Sequence, residues 1–234
     1  MNITRINDHA HQLTRFGFVN AYLVRETDGF TLIDTQVSGS AKPILAAAAA
    51  LNTPIRRILL THAHADHMGA LDELATQLGP LDVAIGQRES LMLPKPPAQN
   101  LNTLPGEPGK PGMKMNFPGA LTAPTHLLAP GELYGSLRCF DTKGHTPGHL
   151  SFLDERDGTL YVGDALVTVG GAPHVPGFGP WFFPFPRFAT WHRPSSVTSI
   201  QNLLDIPLAR IAPGHGRVLE GGRNLLEQAL AETR

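Results

Sequence analysis

Residues 61–67 read Thr-His-Ala-His-Ala-Asp-His, so His62, His64, Asp66 and His67 fall within six consecutive positions. No other stretch of the chain is as dense in groups able to ligate a metal. Imidazole nitrogen and carboxylate oxygen together suit zinc and similar borderline cations. In an extended segment residues i and i+2 point the same way, so His62 and His64 can grip one ion. Asp66 and His67, past a turn, can face a second. A fold built on this stretch must bring it to the end of a rigid element and supply the remaining ligands from elsewhere.

The surroundings predict that rigid element. Residues 55–60 are a short apolar run of strand length leading into the cluster. Before it, residues 18–25 and 30–33 read as strands joined at Asp28-Gly29, and Ser38-Gly39-Ser40 offers an N-cap for a helix over 41–51. After it, Met68, Leu71, Leu74, Ala75 and Leu78 recur at helical spacing until Gly79-Pro80, and residues 81–85 form another strand. Alternating strands and helices indicate an α/β layered fold. Further strands are expected at 137–141, 150–153, 159–162 and 208–212, with helices over 195–205 and from Gly222 onward. Two segments break the pattern. Residues 94–124 interleave prolines with glycines, with Met113, Met115, Phe117 and Leu121 as apolar anchors, and read as a lid or a surface excursion. Residues 170–194 hold both tryptophans and a run of phenylalanines. That loop either lines a site, in which case the substrate is apolar or carries an acyl chain, or fills core space or a dimer contact.

Three more candidate ligands follow strand ends beside glycine: His145 in Gly-His-Thr-Pro-Gly-His149, Asp164 after Gly163, and His215 after Gly214. Taken singly, Asp66 reads as a helix N-cap, Asp164 as a turn residue, and each histidine as an ordinary loop histidine. Taken together and in this order, the motifs resemble the metallo-β-lactamase superfamily of hydrolases over about 34–215. In ligand set the chain is most similar to the glyoxalase II-like and lactonase-like branches. The resemblance implies a four-layer αββα sandwich, here a single domain over 1–234 with irregular loops at 94–124 and 170–194. It implies that His62, His64 and His145 hold one metal, that Asp66, His67 and His215 hold the other, and that Asp164 bridges them. No ligand position is substituted. It further implies a hydroxide between two divalent ions as nucleophile, with Asp66 orienting it. Zinc is the expected ion; the ligand types also admit manganese, iron or cobalt. Asp34 matches a strand-end aspartate that orients a ligand or caps a turn, and His149 is expected to support the site or the fold. His9, His11, His126, His174 and His192 carry no motif.

Departures from particular branches narrow the activity. Metallo-β-lactamases usually have cysteine or serine where this chain has Asp164. Glyoxalase II carries a helical domain after its last histidine, and here 19 residues (234 less 215) follow His215. Quorum-quenching lactonases place a tyrosine shortly after the bridging aspartate, where Ala165, Leu166 and Val167 stand. A hydrolase of esters, thioesters or lactones is therefore expected, with an iron-dependent persulfide dioxygenase of the same fold and a non-catalytic binding domain as alternatives. The formal net charge of −1 gives no pull toward nucleic acid or anionic membrane, so a small-molecule substrate is expected, with a homodimer possible. No stretch has signal-peptide or membrane-span character, which leads to a cytoplasmic expectation. The only cysteine, Cys139, reads as a buried hydrophobe.

Overall fold

A computed structural model describes residues 1–96, 102–109 and 117–233. The chain divides into two compact units, Met1–Ala98 with Asn116–Leu128, and Gln99–Met115 with Ala129–Arg234.

The first unit is a seven-stranded sheet with its strands in sequence order. β1 (Asn2–Arg5), β2 (Ala10–Arg15), β3 (Val19–Arg25) and β4 (Phe30–Ile33) form an antiparallel meander. β5 (Ile55–Leu60), β6 (Asp82–Gly86) and β7 (His126–Leu128) then extend it in parallel with β4. Parallel neighbours need crossovers, and helices supply two of them. α1 (Ala41–Ala50) connects β4 to β5 and buries Ala41, Ile44, Ala47 and Ala48 along one stripe. α2 (Ala65–Met68) and α3 (Leu71–Leu78) connect β5 to β6, and α1 packs on α3. The continuous helix expected from Met68 to Leu78 is broken at Gly69. Its N–H donates to Gln36 O (2.8 Å), and a Cβ there would lie 2.3 Å from Ala65 O and 2.6 Å from Ser38 N. Ser40 occupies the expected N-cap position of α1, but its hydroxyl accepts from Arg15 Nη1 (2.6 Å) and makes no cap bond. Strands β1 and β2 were not expected, because polar Gln12 is buried within β2 and obscures the alternation.

The second unit is a six-stranded sheet of order β13-β12-β11-β10-β9-β8. It comprises β8 (Leu133–Tyr134), β9 (Leu137–Asp141), β10 (Leu150–Asp154), β11 (Thr159–Gly163), β12 (Arg210–Pro213) and β13 (Leu219–Glu220). Only β11 and β12 pair in parallel. Among the described residues three helices belong to it: α4 (Phe185–Ala189), α5 (Arg193–Asn202) and α6 (Arg223–Ala231), with α5 packed on α6. Its core joins Leu160, Val162 and Ile211 of the sheet to Ile200 of α5 and Leu226 and Ala229 of α6. Each fully buried side chain of this kind contributes about 1.5–3 kcal/mol. Cys139 is buried on β9 as expected.

The topology puts chemistry at one end of each sheet. The carboxyl ends of the parallel strands β4, β5 and β6 lead to Asp34, to residues 61–67 and to Glu89. In the second unit the carboxyl ends of β9, β11 and β12 share one edge and lead to His145, Asp164 and His215. Of the 94–124 segment, Phe117 is buried and Leu121 is 78% exposed, so Leu121 is no anchor; Met113 and Met115 lie outside the described residues. No described helix is long and apolar enough to cross a membrane.

Candidate metal centre

In the first unit β5 is followed by Thr61, and both groups of that residue go to Asp34. The Thr61 N–H donates to Asp34 Oδ1 (2.8 Å) and its hydroxyl donates to Oδ2 (2.8 Å). A hydroxyl has one proton, so the 3.0 Å contact between Thr61 Oγ1 and His62 Nδ1 must be donated by the imidazole. That tautomer leaves the lone pair of His62 on Nε2. His67 is treated alike: its Nδ1–H donates to Asp34 Oδ2 (2.7 Å), which puts its lone pair on Nε2. One buried carboxylate thus orients two imidazoles. Asp34 thus contacts one candidate ligand, His67, directly and another, His62, through Thr61. Tyr22 packs close by; burial and the Asp34 charge push its phenol well above its ordinary value, so it stays neutral.

His62, His64 and His67 are all buried. Their rings lie close, His62 to His64 at 4.7 Å and His62 to His67 at 4.1 Å between centroids. His62 Nε2 is 3.1 Å from His64 Nδ1. Two nitrogens bound at about 2.0–2.1 Å to one tetrahedral zinc stand about 3.3 Å apart, so this pair fits a shared ion. Asp66 sits in the first turn of α2 with a carboxylate oxygen within 4.8 Å of a His67 nitrogen. Glu89, fully buried after β6, accepts the Ala63 N–H (2.9 Å) and so clamps the backbone between His62 and His64. Sequence reasoning missed it; in the run Gln-Arg-Glu-Ser a glutamate looks like any solvated surface residue.

In the second unit Asp164 is the hub. Its Oδ2 lies 3.4 Å from His145 Nε2 and 3.3 Å from His215 Nε2, and all three residues are buried. Both distances exceed the 2.7–2.9 Å of a charge-assisted hydrogen bond. Both match the separation of donors around a common cation. The backbone around these groups is held tightly. The Asp164 N–H donates to His149 Nε2 (3.1 Å), whose Nδ1–H donates to Thr142 Oγ1 (2.8 Å). His149 is thus the support of Asp164. Gly144, at φ 143°, lets the His145 loop lie on α5, where a Cβ would meet Ser196 N at 2.3 Å. Gly216 allows the same closeness to Thr168, whose N–H donates to His215 O (2.9 Å).

The aromatic loop is tied to these ligands. Trp191 N–H donates to His145 O (3.0 Å), and Thr190 Oγ1 is 3.4 Å from His145 Nδ1. The Phe183 ring lies 5.6 Å from that of His215. The Trp191 indole in turn donates to Thr103 Oγ1 (2.8 Å), which fastens residues 102–109 to the same loop. His174 and His192 do other work. His174 pairs with Glu232, and His192 accepts the Ser195 N–H as the cap of α5.

Each unit therefore gathers its share of the seven expected ligands, His62, His64, Asp66 and His67 in one and His145, Asp164 and His215 in the other. A family model described as the metallo-beta-lactamase superfamily matches residues 14–215. The chain belongs to the metallo-β-lactamase superfamily. Its relatives include the uncharacterised protein YobT of Bacillus subtilis, 42% identical over 92% of this chain and 91% of that one. They also include a hydroxyacylglutathione hydrolase of Methylobacillus flagellatus, 30% identical over 56% of this chain and 42% of that protein. Among solved structures, the BLEG-1 B3 metallo-β-lactamase superposes with a TM-score of 0.69 at 22% identity, covering 95% of this chain and 96% of the other. The superfamily fold, an α/β sandwich, is the one expected. As a superfamily member the chain is a metallo-hydrolase homologue, and its buried histidine and aspartate groups are a donor set for divalent metal.

Proposed function

We propose that this chain is a binuclear metal-dependent hydrolase of ester, thioester or lactone substrates. In this reading His62, His64 and His145 would hold one ion, Asp66, His67 and His215 would hold the other, and Asp164 would serve both. Zinc is the ion that suits nitrogen and oxygen donors of this kind. The observation that carries the reading is the position of Asp164 Oδ2, at ligand-to-ligand distance from His145 and from His215. These are the histidines assigned to different ions, and one oxygen that serves both is what a bridge requires. The thioester option gains support from the hydroxyacylglutathione hydrolase relative, whose named substrate is a thioester. A cytoplasmic setting and a small-molecule substrate belong to the same proposal.

Two divalent ions, when bound there, would supply a water of near-neutral pKa and polarise a substrate carbonyl. The remaining work falls to side chains of this chain. Asp66, half-buried on its one-turn helix, would accept a hydrogen bond from the attacking water and orient it. Asp34, through Thr61 and His67, keeps the imidazoles in the tautomers that face inward. His149 holds the Asp164 backbone in place.

The test is a screen of ester, thioester and lactone substrates, with metal content measured on the same sample. Turnover is expected in at least one class. Asp164→Ala is expected to abolish that turnover and lower metal content, and unchanged activity would refute the bridge. Asp66→Asn is expected to cut the rate by about 10²–10⁴-fold with little change in thermal unfolding. Oxygen uptake with a persulfide substrate, in place of hydrolysis, would replace the proposal with a dioxygenase.

A further inference from the structure

The loop over 170–194 exposes what a folded protein normally hides. Trp181 is 85% exposed, Phe188 76%, Phe185 69% and Phe182 55%. Helix α4 is turned the wrong way round for water. Phe185 and Phe188 share its outer face at i, i+3, while Pro186 is buried. Exposed apolar groups gathered in this way mark a binding surface.

The loop is also held at fixed places. One end is fastened by the Thr168 N–H to His215 O, the other by the Trp191 N–H to His145 O. Between them the aromatics lead inward. Phe185 meets Phe183 edge-on at 5.6 Å, Phe183 is 7% exposed, and Phe183 meets His215 at 5.6 Å. Trp181 and Phe182, on the same loop, stand edge to face at 6.1 Å. Four partly exposed aromatics offer on the order of 600 Å², short of the roughly 800 Å² per partner of a standard protein interface. The formal net charge of −1 offers no attraction to an anionic bilayer. What fits an apolar track that ends on a candidate ligand is the apolar part of a substrate.

We propose that Trp181, Phe182, Phe185 and Phe188, continued inward by Phe183, form the subsite for an aliphatic acyl chain. This rests on the hydrolase reading and narrows it to fatty acyl esters or thioesters. In the reaction the oxygen of water bonds to the acyl carbon and the C–O or C–S bond breaks. The leaving alcohol or thiol takes one proton of the water, the other is released to solvent, and the acyl chain departs as a carboxylate. At about 1.25 Å per carbon, from bonds of about 1.5 Å at about 111°, the two 5.6 Å steps span at most roughly nine carbons.

The test compares 4-nitrophenyl esters from acetate to decanoate, using wild type and the double variant Phe185→Ser, Phe188→Ser. Both substituted residues are exposed, so folding is little affected. In wild type kcat/KM is expected to rise with chain length, by up to about fourfold per methylene at about 0.8 kcal/mol each. In the double variant the decanoate-to-acetate ratio is expected to fall at least tenfold. In parallel, decanoate added to metal-free protein is expected to shift tryptophan emission to the blue, and the shift is expected to vanish in Trp181→Phe. Turnover with no dependence on chain length would overturn the subsite and leave the hydrolase. Absence of turnover with a retained decanoate shift would support the subsite and remove the hydrolase. An unchanged ratio, with loss of sedimentation on phosphatidylcholine vesicles in the double variant, would overturn the subsite and assign the surface to lipid.

Discussion

Asp34 sits at φ 58°, in the left-handed region that aspartate and asparagine tolerate better than most residues. Asparagine at this position keeps the backbone and removes the charge, so Asp34→Asn isolates what the carboxylate does for His67. The variant is expected to bind metal about 10–100-fold more weakly by chelator competition, with its fold retained. Unchanged affinity would reduce Asp34 to a turn residue. Cys139 gives a second residue-scale check. Burial, the largest cause, pushes its thiol up to about 12. The native protein is expected to resist alkylation at neutral pH and to release one reactive thiol only on denaturation. Residues of this kind differ in how well the sequence shows them. The seven candidate ligands are visible because metal chemistry restricts donor types and strand ends restrict their places. Glu89 and Thr190 are not, because Glu89 acts on a backbone N–H 26 positions away and Thr190 on a ring 45 positions away.

At the scale of elements, the return of the Pro-rich excursion is fastened to α3 by one side chain. Asp72 accepts from Leu121 N (3.0 Å), Thr122 N (2.8 Å) and Thr122 Oγ1 (2.7 Å). Partial desolvation would raise its pKa, but these hydrogen bonds and Lys95 outweigh it and hold the carboxyl below the ordinary 3.8. A depressed folded pKa means that the contribution is fully present above 3.8 and is lost as pH falls through the folded value. Asp72→Ala is therefore expected to unfold at a lower temperature than wild type at neutral pH. The gap is expected to close as pH drops below 3.8. A gap independent of pH would show that the charge does not matter. The strands that carry candidate ligands were legible because short apolar runs end in glycine or in the histidine cluster. The break between α2 and α3 was not, because it depends on how closely Gly69 approaches Ser38, 31 positions earlier (69 less 38). The aromatic loop was legible as unusual, while its ties to His145 and His215 depend on backbone groups that no side-chain pattern announces.

At the scale of the whole molecule, the superfamily match runs through both units, and each unit carries some of the candidate ligands. Asp34, the histidine cluster and Glu89 come from adjacent parallel strand ends in the first. His145, Asp164 and His215 come from one sheet edge in the second. The proposed two-ion assignment draws on the candidates of both units, and Asp164 is the residue on which that proposal turns. The most direct test is elemental analysis of the protein purified without added metal, with wild type and Asp164→Ala side by side. Wild type is expected to carry two divalent ions per chain, zinc foremost, and the variant fewer. A single iron in wild type, or full metal content in Asp164→Ala, would contradict the bridged two-metal centre.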